Sequence, residues 1–366
     1  MLWTYKELTH HSSSKPFNGY AFILIILIAV STTANANFSG LPVIASSPET
    51  GLQYGALLIQ NLNEEAVDGK LSTIQYIAIN STENQRRFVV RPTFYFLDYK
   101  LKLTPNINYS SFPEKFYGIS NASDKNFEED FTSEYLLLRF DMQYNVYSDF
   151  HLKFLSSSDD RAITKYEKGG AIDTMLGGSL LEYRLTSTGM GLVWDTRDSP
   201  RYPSSGYYAE ISRENYGGEI YDYDEQRIDL RAFVSMGNKK VLATQAIQVD
   251  QDGVIPFINL ATIGGSDVVR GFYEGRYRGT QMQALQVEYR QHGYEWSGLD
   301  TGWTVFVASG RVDASDVIAD DSDDFHSAVG IGGHFFFNPE DQTTIRADLA
   351  YGEDGSAFYL MIDQAF

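Results

Sequence analysis

The sequence predicts an all-β fold, a transmembrane antiparallel β-barrel of 16 strands. Three observations predict it. Apolar and polar residues alternate with a period of two from Phe38 onward, with no long 3.6-residue pattern between them. The alternating segments are about ten residues long, as tilted strands that cross a bilayer require. Aromatic residues cluster near segment ends, for example at Phe94–Phe96 and Phe335–Phe337.

The segment Gln226–Val234 shows the alternation. One face is aliphatic and the other carries charges of both signs, namely Arg227, Asp229 and Arg231. Ile345–Tyr351 alternates in the same way, with Arg346 and Asp348 on its polar face. Alternation alone also fits a soluble secreted β-sandwich, whose apolar face packs inside. Strand length and an export signal favour the barrel, whose apolar face contacts lipid and whose polar face lines the lumen.

The export signal is predicted at residues 1–36. Tyr20–Val30 is an apolar run of eleven residues, about half the length that a transmembrane helix needs. Lys6 and Lys15 precede this run, and Ala34–Ala36 follows it with the small-x-small pattern of a cleavage site. The alternative is a buried core helix. We expect cleavage to leave residues 37–366 as one outer-membrane β-barrel domain.

Composition narrows the classes of function. The 366 residues include no cysteine, which excludes disulfides and thiolate metal sites. The net charge of −19 argues against nucleic acid as a partner. Aromatic residues make up 14% of the chain, too many for an acidic disordered protein.

The strands and loops follow from the alternation and from its breaks. The predicted strands are residues 38–46, 51–61, 71–80, 86–98, 100–112, 132–146, 148–158, 187–197, 206–215, 222–236, 240–253, 282–290, 302–312, 327–337, 343–352 and 357–366. Short turns alternate with long loops at 113–131, 159–186, 254–281 and 313–326. In such barrels the short turns are periplasmic and the long loops are external.

Three motifs stand out. Gly264–Gly279 combines three arginines and five glycines and contains Val269-Arg270-Gly271-Phe272. Gly191–Ile211 contains Asp195, Arg197 and Asp198 ahead of a turn from Pro203 to Gly206; we interpret these residues as a structural turn clamp rather than as a catalytic group. The last predicted strand contains Tyr359 and ends on Phe366.

In this order and spacing, the three motifs resemble those of the BamA/TamA-type outer-membrane assembly superfamily, the bacterial surface antigen barrels. The resemblance implies sixteen strands and a loop, here 254–281, that folds into the lumen. It implies that Arg270, within Val269–Phe272, contacts acidic residues on strands twelve and thirteen. Glu288 is the predicted partner on strand twelve, while the second acidic position falls at Ala308. It also implies that the segment with Tyr359 and Phe366 is a C-terminal insertion signal.

Other interpretations of the predicted pair stay open at this point. Arg270 could be an ordinary solvated loop arginine, and Glu288 could be an ordinary lumen carboxylate. An arginine inside a barrel does, however, need a carboxylate to offset its desolvation, and bidentate pairing fixes its geometry.

The sequence predicts no catalytic or metal site and no cofactor. The histidines are scattered, and HExxH, GxSxG and P-loop motifs are absent. The acidic run Asp313–Phe325 lacks the glycine of a calcium loop and is interpreted as a solvated external loop.

From the resemblance we expect a non-enzymatic protein of the bacterial outer membrane, a barrel-only member without POTRA domains. Its expected function is outer-membrane biogenesis, protein insertion or translocation. Expected partners are outer-membrane lipid and lipopolysaccharide, an outer-membrane or secreted client protein, and the barrel assembly machinery that inserts it. The alternatives are a passive porin-like channel and a membrane-embedded hydrolase.

Overall fold

A computed structural model of the chain describes residues 38–47, 51–62, 71–82, 84–124, 126–176, 182–296, 299–315, 322–338, 342–362 and 364–366. The predicted signal peptide, residues 1–36, lies outside the described residues.

Sixteen strands form one antiparallel sheet, in which each strand bonds to its neighbours in the chain. The strands are β1 (Phe38–Ser47), β2 (Gly51–Asn61), β3 (Thr73–Ser81), β4 (Arg86–Phe96), β5 (Leu101–Phe116), β6 (Glu129–Tyr147), β7 (Phe150–Lys165), β8 (Glu182–Asp195), β9 (Gly206–Gly218), β10 (Asp222–Ser235), β11 (Lys240–Val254), β12 (Gln281–Trp296), β13 (Leu299–Asp313), β14 (His326–Asn338), β15 (Thr343–Gly352) and β16 (Gly355–Ile362).

The sheet curls into a barrel. Its two ends approach each other, since Ile345 of β15 packs against Leu57 and Ile59 of β2. The two faces confirm the barrel over the sandwich, because the apolar face is the exposed one. On β12 the Leu285 side chain is 54% exposed, whereas the neighbouring Glu288, of opposite phase, is fully buried. The fold class, with its sixteen strands, is therefore as predicted.

Several strands extend further than predicted at the ends that lead into long loops. Strand β7 was predicted to end at residue 158, but it pairs with β6 as far as Lys165. The extension is polar in sequence, and ladder hydrogen bonds between backbone groups do not require apolar side chains. Strand β16 differs in the other direction: it ends at Ile362 and not at Phe366.

The loops contain short elements that the alternation did not predict. A helix, Ala171–Leu176, follows β7, and its first amides donate to the Glu129 carboxylate, with Ala171 N 2.7 Å from Glu129 Oε2. No helix in the described ranges is long and apolar enough to cross a membrane.

Candidate lumen site

The segment between β11 and β12, residues 255–280, enters the barrel, and we call it the lumen loop. It begins with a 3₁₀ turn, Phe257–Asn259, followed by a two-stranded ribbon of Ala261–Ile263 and Tyr277–Gly279. The ribbon presents the Val269–Phe272 motif between its two strands. Its apolar side chains bury the motif against the wall, in a cluster that includes Ile263, Val269, Phe272, Met282, Ala308 and Ala328.

The backbone of the motif is strained. Val269 has a φ of +56°, which is rare for a β-branched residue, and Gly271 has a φ of +126°. A Cβ atom at Gly271 would lie 2.6 Å from the Cβ of Ala328, so only glycine fits there. Val269 is held by its complete burial and by a hydrogen bond from its amide to Gln286 Oε1, at 3.2 Å. This conformation directs Arg270 towards β12 and β15.

Arg270 makes ion pairs with two carboxylates. One terminal nitrogen donates to Glu288 of β12 and the other donates to Asp348 of β15. The guanidinium also lies over the ring of Phe306, 3.8 Å from its centroid. The side chains of all three charged residues are fully buried. The guanidinium of the loop arginine is therefore removed from water, and its positive charge is balanced by two carboxylates of the barrel wall.

Two further arginines share the same carboxylates. Arg346 donates to both oxygens of Glu288, at 2.9 and 3.0 Å, and to Asp348 Oδ1 at 2.7 Å. Arg290 donates to Glu288 Oε2 at 2.8 Å. We call these five side chains, Arg270, Glu288, Arg290, Arg346 and Asp348, the lumen ion network. Three cations and two anions lie here with no exposed side-chain surface.

The second carboxylate is not where the resemblance implied. Strand thirteen carries Ala308 at the position implied for it, and the small Ala308 side chain is buried in the apolar cluster beneath the loop. Asp348 of β15 contacts Arg270 instead. Arg270 therefore has two carboxylate partners, and the second lies on β15 instead of strand thirteen. The sequence does place Asp348 on the polar face of its strand, and this position was the only indication that it could be a partner of Arg270.

The last predicted motif also contributes to the site. Tyr359 of β16 accepts a hydrogen bond from the Gly271 amide and donates one to the Phe272 carbonyl, both at 2.9 Å. Phe366 lies beyond the strand and is buried against Phe233, Val241 and Ala243 of β10 and β11. Its carbonyl oxygen accepts a hydrogen bond from Arg290 at 3.1 Å.

The residues of the predicted turn clamp lie together where β8 leads into β9. Arg197 donates from Nε and Nη2 to Asp195, both at 2.8 Å. Asp198 accepts from the hydroxyl of Ser204 and from the amides of Ser204 and Ser205, which lie within the turn from Pro203 to Gly206. Although burial opposes the effect, these hydrogen bonds hold the pKa of the Asp198 carboxyl below its usual value.

The opposite half of the lumen, along β6 to β10, is lined by charges around a cavity of about 410 Å³. Lys153 contacts Glu210 at 2.8 Å, and Arg139 contacts Glu214 at 3.0 Å. Charges of both signs line it in equal numbers: Arg139, Lys153, Arg227 and Arg231 against Glu210, Glu214, Glu225 and Asp229. Within the described ranges no group of His, Asp and Glu side chains could hold a metal ion.

Fold and site together define an outer-membrane β-barrel whose lumen is partly filled by its own loop. Residues 73–332, more than half of the chain, match the model of the Omp85 superfamily domain, so the chain belongs to the Omp85 superfamily. No curated protein matches the sequence.

Solved structures with the same fold include BamA from Haemophilus ducreyi lacking POTRA domains 1–3, at 14% identity and a TM-score of 0.60, covering 94% of this chain and 74% of that one. CdiB from Escherichia coli is 11% identical with a TM-score of 0.62, covering 91% of this chain and 63% of that one. CdiB from Acinetobacter baumannii is 11% identical with a TM-score of 0.57, at 90% and 59% coverage. The chain thus spans about three fifths of the CdiB structures. These similarities show the fold.

Proposed function

We propose that this barrel acts in outer-membrane biogenesis, inserting or translocating a client protein, with the lumen loop latched by Arg270. The observation that carries the proposal is the complete burial of Arg270 between Glu288 and Asp348. An arginine at a loop tip gains nothing from burial unless fixed carboxylates offset its desolvation. The network therefore favours one position of the loop, inside the lumen.

The latch would act through the pairing geometry. A guanidinium is planar and always charged, and here its two terminal nitrogens reach carboxylates on two different strands. Withdrawing the loop would leave Glu288 and Asp348 with only Arg290 and Arg346 as cations. The loop would then have to exchange two buried ion pairs for water.

The proposed partners follow from the membrane and from the family. They are outer-membrane lipid and lipopolysaccharide, an outer-membrane or secreted client, and the barrel assembly machinery for insertion. We propose no enzymatic activity, so refolded protein should turn over neither ester nor peptide substrates. One observation favours a second candidate, a passive porin-like channel: the cavity along β6 to β10 is lined by charges of both signs.

Conductance separates the two candidates. In planar bilayers the wild type should conduct weakly, and Arg270→Ala should raise the current because it releases the loop. Arg184→Ala, at a side chain that is 68% exposed, is the matched control and should match the wild type. A large, steady, ion-selective current through the wild type would support the porin instead.

Outer-membrane proteomics after deletion of the gene would then show whether any client is depleted; unchanged protein levels would count against a role in assembly.

A further inference from the structure

The lumen face of β11 is uncharged and supports the lumen loop. The side chains on this face are Val241, Ala243, Gln245, Ile247, Val249 and Gln251, and all of them are buried. Ile247 and Val249 pack against apolar side chains of the loop. The two glutamines lie on either side of this apolar pair. They therefore stand where the backbone of the loop meets the wall.

Gln251 holds the base of the loop with both ends of its amide, a contact that we call the base clamp. Its Oε1 accepts a hydrogen bond from the Ala261 amide, and its Nε2 donates to the Asn259 carbonyl, both at 2.9 Å. Nε2 also donates to Glu225 Oε2, again at 2.9 Å. Glu225 is the register partner of Gln251 on β10 and lines the cavity. The base clamp thus connects the loop backbone to a cavity carboxylate.

Gln286 of β12 holds the tip of the loop in the same way, and we call this contact the tip clamp. Its Oε1 accepts from the Val269 amide at 3.2 Å, and its Nε2 donates to the Asp267 carbonyl at 2.8 Å. Nε2 also donates to Oε1 of its register partner Gln245, at 2.9 Å. Gln245 in turn donates to both oxygens of Asp229, at 3.0 and 3.2 Å. Two amides in series therefore connect the loop to a second cavity carboxylate of β10.

The carboxylates decide which end of each amide the loop meets, directly at Gln251 and through Gln245 at Gln286. A carboxylate only accepts hydrogen bonds, so the NH₂ end of a glutamine must face it and the oxygen is left for the loop N–H. The three glutamines are at most 6% exposed, so water cannot replace a partner that they lose. Turning an amide over would set its NH₂ group against the N–H group that it now accepts.

We propose that Gln245, Gln251 and Gln286 are positioning residues of the lumen loop, and that Glu225 and Asp229 fix their orientation. The inference rests on the proposed function, since the docked position of the loop is the one that Arg270 latches. It adds that the cavity and the loop are coupled. Any group in the cavity that draws one of these carboxylates away from its glutamine loosens the loop.

A buried reporter beneath the loop tests this coupling. The chain contains no cysteine, so Ala308→Cys, in the apolar cluster under the loop, can be labelled by a maleimide in detergent micelles without background. Asp229→Leu and Glu225→Leu should each accelerate the labelling about tenfold, because one unsatisfied buried polar group shifts an opening equilibrium by about that factor. The urea-unfolded chain sets the upper limit of the rate.

Glu214→Leu is the matched control, because Glu214 lines the same cavity but bonds to Arg139 and Ser187 instead of a glutamine. It should leave the labelling of Ala308→Cys unchanged. A second reporter, Ala243→Cys, is buried against Phe366 and detects opening of the barrel as a whole. Its labelling should stay at the wild-type rate in all three carboxylate variants.

A double variant separates the tip clamp from a general loss of stability. Gln286→Leu already disconnects Asp229 from the loop, so adding Asp229→Leu should accelerate the labelling no further. The combination of Gln251→Leu with Glu225→Leu tests the base clamp in the same way and decides the question if Asp229→Leu does not fold. Equal acceleration with and without the glutamine would overturn the proposal. So would wild-type rates in both carboxylate variants, or equal acceleration by Glu214→Leu.

Arg270→Ala in the same assay keeps this inference apart from the proposed latch. A wild-type labelling rate in Arg270→Ala, together with fast labelling in Asp229→Leu and Glu225→Leu, would refute the latch and support the clamps. Fast labelling in Arg270→Ala alone would support the latch and overturn the clamps.

Discussion

The two halves of the lumen use the same ion pairs in different surroundings. Beside the lumen loop, the five members of the ion network have no exposed side-chain surface. Along β6 to β10, by contrast, Arg139 is 27% exposed and contacts Glu214 across the edge of a cavity. The pairing chemistry is alike, but water reaches only one of the two groups. Charge in a barrel lumen therefore has different consequences depending on whether a loop excludes water from it.

The largest expected effect comes from Glu288→Gln. This change leaves three buried arginines with one carboxylate, and breaking a buried pair in this way costs about 3–5 kcal/mol. We expect the unfolding midpoint in urea, followed by tryptophan fluorescence in detergent micelles, to fall clearly. The matched change Glu214→Gln, in the cavity half, should lower it much less. Equal losses in the two variants would remove the distinction between the halves.

The next effect is expected from Tyr359→Phe, which removes the hydroxyl that bonds to Gly271 and Phe272. Leaving a buried amide and carbonyl without partners costs about 1–3 kcal/mol. Limited proteolysis should detect earlier cleavage within the lumen loop, before any cleavage of the cavity half. Cleavage kinetics identical to those of the wild type would mean that the loop does not depend on this contact.

A smaller effect is expected from Arg139→Ala in the cavity half. Glu214 loses a cation there, but water in the cavity can hydrate the carboxylate, so the loss should resemble that of an exposed pair, about 1 kcal/mol or less. Urea unfolding measures the loss of stability in Arg139→Ala under the same conditions as in Glu288→Gln, so the two losses can be compared directly. A loss as large as that of Glu288→Gln would show that the cavity half is as dry as the loop half.

The smallest effect is expected outside both halves, at Asp198 of the turn after β8. Its pKa is lowered in the folded protein, so its hydrogen bonds stabilise the fold above the unfolded pKa, near 4. That contribution is lost as the pH falls through the folded value. Asp198→Asn should therefore flatten the acid side of the stability profile between about pH 5 and pH 3. A profile that keeps its wild-type slope would exclude this turn as a source of pH dependence.

The fold was predictable because its signal is local. Alternation along a strand such as Ile345–Tyr351 reveals the strand and its two faces without any knowledge of its neighbours. The site was predictable only in part. The motif pointed to Arg270 and Glu288, but Asp348 lies 60 residues beyond Glu288 in sequence, and only the curvature of the sheet brings β15 towards the lumen loop.

Two other features escaped prediction for related reasons. Phe366 continues the alternating pattern, so it was placed in the last strand, but its burial against Phe233 depends on tertiary contacts that the pattern does not contain. The polar extension of β7 as far as Lys165 carries no apolar alternation, although its backbone pairs normally with β6.

One hydroxyl group connects the lumen loop to an end strand of the sheet. Tyr359 of β16 bonds to both an amide and a carbonyl of the Gly271–Phe272 segment. Sliding β16 by one residue, about 3.3 Å, would carry the hydroxyl beyond hydrogen-bond range of both atoms at once. The loop backbone beside Arg270 therefore keeps these two hydrogen bonds only while β16 holds its register, so the register of the last strand is coupled to the docking of the loop.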